Sequence, residues 1–108
     1  MYSKSYPSVC IPQTFTTAYW FNVRDIFERV LGKDSVERVD IVNKTNRNGH
    51  KYQTIFVHLT KWPENDKART FRQSLIKGDD IKLVYDDPWF WKCYASNAPK
   101  PEWPPSAK

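Results

Sequence analysis

The chain has 108 residues, with 17 Lys+Arg against 12 Asp+Glu, five Trp, six Tyr and six Phe. That length allows one domain with one core, and 40 % hydrophobic with 27 % charged residues is a folded rather than a disordered composition. The net charge of +5 suits a polyanionic partner without requiring one, while no apolar run approaches the ~20 residues that span a bilayer and no signal-like apolar stretch opens the chain, so an intracellular (nuclear or cytoplasmic) protein without a membrane partner is expected.

Residues 1–7 read as an N-terminal extension. Ser8 to Gln13 reads as a short strand with Pro12 at its end, since an interior proline would break a central ladder. Val23, Ile26, Phe27, Val30 and Leu31 then recur at i, i+3, i+4, i+7 and i+8, the apolar stripe of an amphipathic helix stopped by Gly32. Ser35 to Asn43 and Lys51 to Thr60 are rich in β-branched residues and read as strands. They are joined by Lys44-Thr45-Asn46-Arg47-Asn48-Gly49-His50, whose Asn-Gly pair signals a hairpin. Ala68, Phe71, Leu75 and Ile76 predict a second helix, begun near Pro63 to Asn65 and closed by Gly78. Ile81 to Tyr85 and Trp89 to Ala95, separated by Asp86-Asp87-Pro88, form a small extra hairpin leading into the last strand. Pro99, Pro101, Pro104 and Pro105 make residues 97–108 a Pro-rich, extended tail.

The order is strand, helix, strand, strand, helix, strand. Right-handed crossovers put both helices on one face of the sheet and leave the other bare. Alternation sends Ile55, Val57 and Leu59 toward the helices and turns Tyr52, Thr54, Phe56 and His58 away from them. In the last strand Trp91 and Cys93 face the core, and Phe90, Lys92 and Tyr94 take the open side. Trp89 and Trp91 serve core and edge packing. Cys10 and Cys93 fall on opposite faces and should not form a disulfide. With His50 and His58 they make no zinc set, so neither metal nor cofactor is expected.

This arrangement resembles the RNA-recognition motif over about Ser8 to Ser96. Val9-Cys10-Ile11-Pro12-Gln13-Thr14 takes the place of that family's hexamer motif, Phe27 that of its helix phenylalanine, and Tyr52-Gln53-Thr54-Ile55-Phe56-Val57-His58-Leu59 that of its octamer. Val9-Cys10-Ile11-Pro12 and Pro88-Trp89-Phe90-Trp91-Lys92 are also similar to segments of small RRM-like proteins of large DNA viruses. The resemblance implies an α+β, ferredoxin-like βαββαβ sandwich: a four-stranded antiparallel sheet with two helices on one face, here with the extra hairpin before the last strand. It also implies base stacking at the positions held by Cys10, Thr54 and Phe56, where one aromatic of three survives. Each lost platform is worth ~1–3 kcal/mol per base.

Compensation comes from the rest of the open face. Phe56, Tyr94, Tyr52 and Phe90 would stack bases, with Lys92 and His58 between them, and Lys44, Arg47 and Lys51 on the hairpin would meet phosphates. The plainer readings are a solvated hairpin tip, a surface His58, and the tail with Trp103 folded over the rings. No nucleophile–base spacing and no phosphate-binding glycine loop is recognisable, so an enzyme is not expected. The expected function is non-catalytic binding of single-stranded nucleic acid, RNA favoured over DNA. The alternative is a protein-interaction or self-association (homodimer) module using the same face and the Pro-rich tail, for a virus a virion component.

Overall fold

The computed structural model describes residues 4–14, 17–86 and 89–96. Its elements run β1 (Ser8–Thr14), α1 (Trp20–Leu31), β2 (Val36–Thr45), β3 (Lys51–Leu59), α2 (Asp66–Lys77), β4 (Ile81–Asp86) and β5 (Trp89–Ser96). The Pro-rich tail at 97–108 and its Trp103 lie outside the described residues.

All five strands join one antiparallel sheet in the order β2-β3-β1-β5-β4. This corrects the four-stranded ferredoxin-like βαββαβ expectation. The segment read as a small accessory hairpin is a fifth strand at the sheet edge, paired with β5 from Ile81↔Cys93 to Asp86↔Trp89. The cause is an apolar face on β4 that must be covered. Leu83 is buried in the core, and the Tyr85 ring stacks on Trp91 with centroids 4.4 Å apart.

Both helices lie on one side of that sheet. Val23, Phe27 and Leu31 of α1 and Ala68 and Leu75 of α2 pack with Val9, Ile11, Ile55, Val57, Leu59, Leu83, Trp91 and Cys93 in a single cluster. Phe27 anchors it, stacked against Trp91 and edge-on to Phe71. Ile76, read as part of the α2 stripe, is instead 39 % exposed, because it lies beyond Leu75 on the flank of the buried arc. Trp89, read as edge packing, is 61 % exposed, whereas Trp91 is buried as expected.

The helix ends are set by local chemistry. Asn65 accepts from the Ala68 N–H (2.8 Å) at the start of α2, and Gly78 closes it in the left-handed conformation at φ 83°. Gly32 ends α1 at φ 147°, where a Cβ would lie 3.2 Å from Pro63 Cγ. Pro12 sits inside β1, in the Ile11–Thr14 stretch where the pairing to β3 shifts register and past the residues of β1 that pair with β5, so the ladder loses little by its missing N–H. Residues 4–7 are tied down. The Trp62 backbone N–H donates to the Lys4 carbonyl (2.8 Å), the Trp62 indole N–H to the Pro7 carbonyl (3.2 Å) and the Arg72 Nε–H to the Tyr6 carbonyl (2.8 Å).

Candidate nucleic-acid interface

Strand pairing fixes which side chains share the face turned away from the helices. Phe56 on β3 and Tyr94 on β5 both pair with Cys10 on β1, so the two rings flank a small side chain in one row across the sheet. Two strand spacings separate them, about 10 Å. Along β5, Phe90, Lys92 and Tyr94 occupy the same face at every second residue. All three are exposed, Phe90 by 41 % and Tyr94 by 37 %, while Phe56 is half-buried. On β4, Lys82 and Val84 pair with Lys92 and Phe90 and share that face, both exposed. The Lys82 ammonium lies 5.0 Å from the centre of the Phe90 ring.

The hairpin side of the face is built differently. Lys44 pairs with Tyr52, and Thr45 with Lys51. With Thr14, Thr17, Asn43 and Gln53 they line a cavity of about 460 Å³. Lys44, Arg47 and Lys51 are exposed and Tyr52 is half-buried. Asn46 organises the turn, its side-chain oxygen accepting from the Asn48 and His50 N–H groups at 2.9 Å each.

His58 departs from expectation. It takes the anticipated face, but it is 2 % exposed and cannot meet a ligand there. Its Nδ1 lies 2.6 Å from the Ser8 hydroxyl and its Nε2 lies 3.2 Å from Asp40 Oδ2, while Asp40 Oδ1 accepts from Arg38 Nε–H at 2.7 Å. The Nε2 approach is close but off-line, so Asp40 Oδ2 is a buried oxygen without a well-directed donor. Ser8, His58, Asp40 and Arg38 thus form a polar line over β1, β3 and β2. With Nδ1 bonded to Ser8, Nε2 lying against Asp40 and the ring covered, the group acts as a cross-link between strands. Thr54 is buried as well, its hydroxyl donating to the Pro12 carbonyl at 2.9 Å.

Cys10 and Cys93 are both free. Burial pushes the Cys93 thiol up to about 12, with Cys10 adding to it, and burial also raises Cys10, against the pull of Lys44. Among the described residues no group of three His, Cys, Asp or Glu could hold a metal ion, and no helix is long and apolar enough to cross a membrane.

Of the residues singled out in the sequence, Phe56, Tyr94, Phe90 and Lys92 come together as one surface. Lys44, Arg47, Lys51 and Tyr52 gather at the β2–β3 end, and His58 is withdrawn. Sequence reading missed Lys82, because β4 had no assigned register against β5. It also passed over Tyr19-Trp20-Phe21 at the start of α1, three exposed aromatics on the helix side, with Tyr19 stacked on Phe21 and Arg24 placed 5.1 Å from the Trp20 ring. A comparison with protein-family models, one with curated proteins and one with solved structures each return no match.

Proposed function

We propose that the protein binds single-stranded nucleic acid, RNA in preference to DNA, on the sheet face opposite the helices and without catalysis. The observation that carries this reading is the run Phe90, Lys92, Tyr94, exposed on one strand and continued by Phe56 across Cys10. Rings offer π-faces to bases of any sequence, and interleaved ammonium groups neutralise the backbone between them. Tyr52, Lys44, Arg47 and Lys51 extend the same chemistry toward the hairpin.

The test is a titration with an oligouridylate, followed by tryptophan fluorescence. Phe56→Ala and Tyr94→Ala should each weaken binding by about 1–3 kcal/mol, roughly 5- to 150-fold, with little loss of thermal stability. The logarithm of affinity should fall against the logarithm of salt with a slope of about −0.7 for every phosphate neutralised. Absence of binding at micromolar RNA in low salt removes the proposal.

One observation favours the protein-interaction reading. Tyr19, Trp20 and Phe21 are exposed together, away from the sheet face, and clustered exposed aromatics mark protein contacts. A stable dimer that does not respond to RNA would support it.

A further inference from the structure

Lys82 and Lys92 stand directly opposite each other on β4 and β5, both exposed on the face away from the helices. Like charges in that relation repel across a ladder. Among the described residues neither lysine has an ion-pair partner; the pairs formed are Arg24–Asp25, Arg38–Asp40, His58–Asp40 and Arg69–Asp66. The Lys82 ammonium turns to the Phe90 ring instead. One rung to either side of the lysine pair lie Phe90 and Tyr94, each about 7 Å along the strand. Two cations that no acid pairs among the described residues, set between two exposed rings, form a seat for an anion that carries flat groups on both sides.

Resting on the proposed nucleic-acid reading, we infer that Lys82 and Lys92 together hold one phosphodiester of a single strand, with the flanking bases on Phe90 and Tyr94. The strand then runs over β5 and the added edge strand β4, with Phe56 taking a base beyond Tyr94 across Cys10, and does not continue along β3 to the hairpin. The charge distribution argues for that path. On the same face β1 offers Ser8, Cys10 and Pro12, and β3 offers Tyr52, Thr54, Phe56 and His58. His58 is the one of these that can become a cation, and it is buried beside Asp40. Among the described residues β1 and β3 carry no exposed ammonium group on this face, and the cations that β2 adds beside them are Arg38, paired with Asp40, and a single lysine, Lys44, whose charge reaches Cys10, whereas β4 and β5 set two lysines opposite each other.

The experiment is fluorescence anisotropy of a labelled decauridylate over a salt series, with thermal melting in parallel. The variants are Lys82→Ala, Lys92→Ala, the double variant, Lys82→Glu, and Lys67→Ala on the exposed side of α2 as a control. Each single alanine should weaken binding several-fold and leave the salt slope nearly unchanged, because the other lysine still meets the shared phosphate, and the double variant should flatten the slope by about 0.7, the loss of one phosphate. Lys82→Glu should bind most weakly of all yet melt close to the wild type, since the attracting pair it forms with Lys92 offsets the lost contact with the Phe90 ring. The inference is overturned if Lys82→Ala and Lys92→Ala match Lys67→Ala while Lys44→Ala or Lys51→Ala loses binding, an outcome that leaves the broader proposal standing. It is also overturned if the double variant flattens the slope by about 1.4, the loss of two phosphates rather than one. No binding by the wild type removes both readings.

Discussion

Cys93 is a thiol sealed in the core, with none of its surface exposed and its pKa lifted from an ordinary value of 9.0 to about 12. An unfolded chain releases that proton near its ordinary pKa, whereas the folded chain retains it, so ionisation favours unfolding. The contribution of Cys93 to stability is therefore complete below about pH 9 and is lost progressively as pH rises toward 12. Urea denaturation from pH 8 to pH 10.5 should show this decline, and Cys93→Ala should remove its share of it. In native protein a thiol reagent should modify half-buried Cys10 first and reach Cys93 only on unfolding. The faces of both cysteines were legible from strand alternation. The partners of His58 were not. Ser8 and Asp40 lie 50 and 18 positions away in the chain, and only the register of β1 and β2 against β3 brings them to the ring. Alternation assigns a face but cannot say whether that face is wet.

Asn65 joins the two helices at their ends. Its side-chain oxygen caps α2 through the Ala68 N–H, and its Nδ2–H donates to the Leu31 carbonyl at 2.8 Å, one of the unpaired acceptors at the end of α1. Asn65→Ala removes both bonds and should cost about 2 kcal/mol. Asn65→Asp keeps the cap, in a position the helix dipole favours, and loses only the donor, so it should cost about half as much. Chemical denaturation of the three proteins should rank them wild type, Asp, Ala. Both helices could be read from their apolar stripes and glycine stops, because a 3.6-residue period and a positive φ leave direct marks on a sequence. Membership of β4 in the sheet left no such mark. Six residues with Leu83 and Tyr85 on one side suit a free hairpin or an edge strand equally, and the choice is made by Trp91 and Phe27, which present the apolar surface that Leu83 and Tyr85 cover. Lys82 was hidden for the same reason. Its neighbour across the strands depends on the turn after Tyr85, and a one-residue shift would have turned it to the helix side.

At the scale of the whole molecule, the buried apolar cluster of the described residues lies on one side of the sheet, and the exposed aromatics among them gather in two separate places, along β5 and at the start of α1. The nucleic-acid reading uses the first and leaves the second free. It therefore predicts a monomer of 12.8 kDa in light scattering, and Trp20→Arg should leave oligouridylate affinity unchanged. A dimer dispersed by Trp20→Arg would instead assign the α1 aromatics to self-association. The attachment of β5 has a mechanical consequence. Its pairing with β1 is confined to Ser8↔Ser96, Val9↔Ala95 and Cys10↔Tyr94, and from Cys93 back to Trp89 its pairing is with β4. Edge strand β4 and its neighbour β5 thus form an arm joined to the sheet through Tyr94, Ala95 and Ser96, with Trp91 and Leu83 packing it onto the core. A displacement of that arm would change the gap between Phe90 and Phe56 and leave the gap between Phe56 and Tyr94, both paired with Cys10, constant. If the face binds nucleic acid as proposed, Phe56 and Tyr94 form the fixed jaw and Phe90 the adjustable one, able to admit a purine or a pyrimidine while the inner pair keeps its spacing.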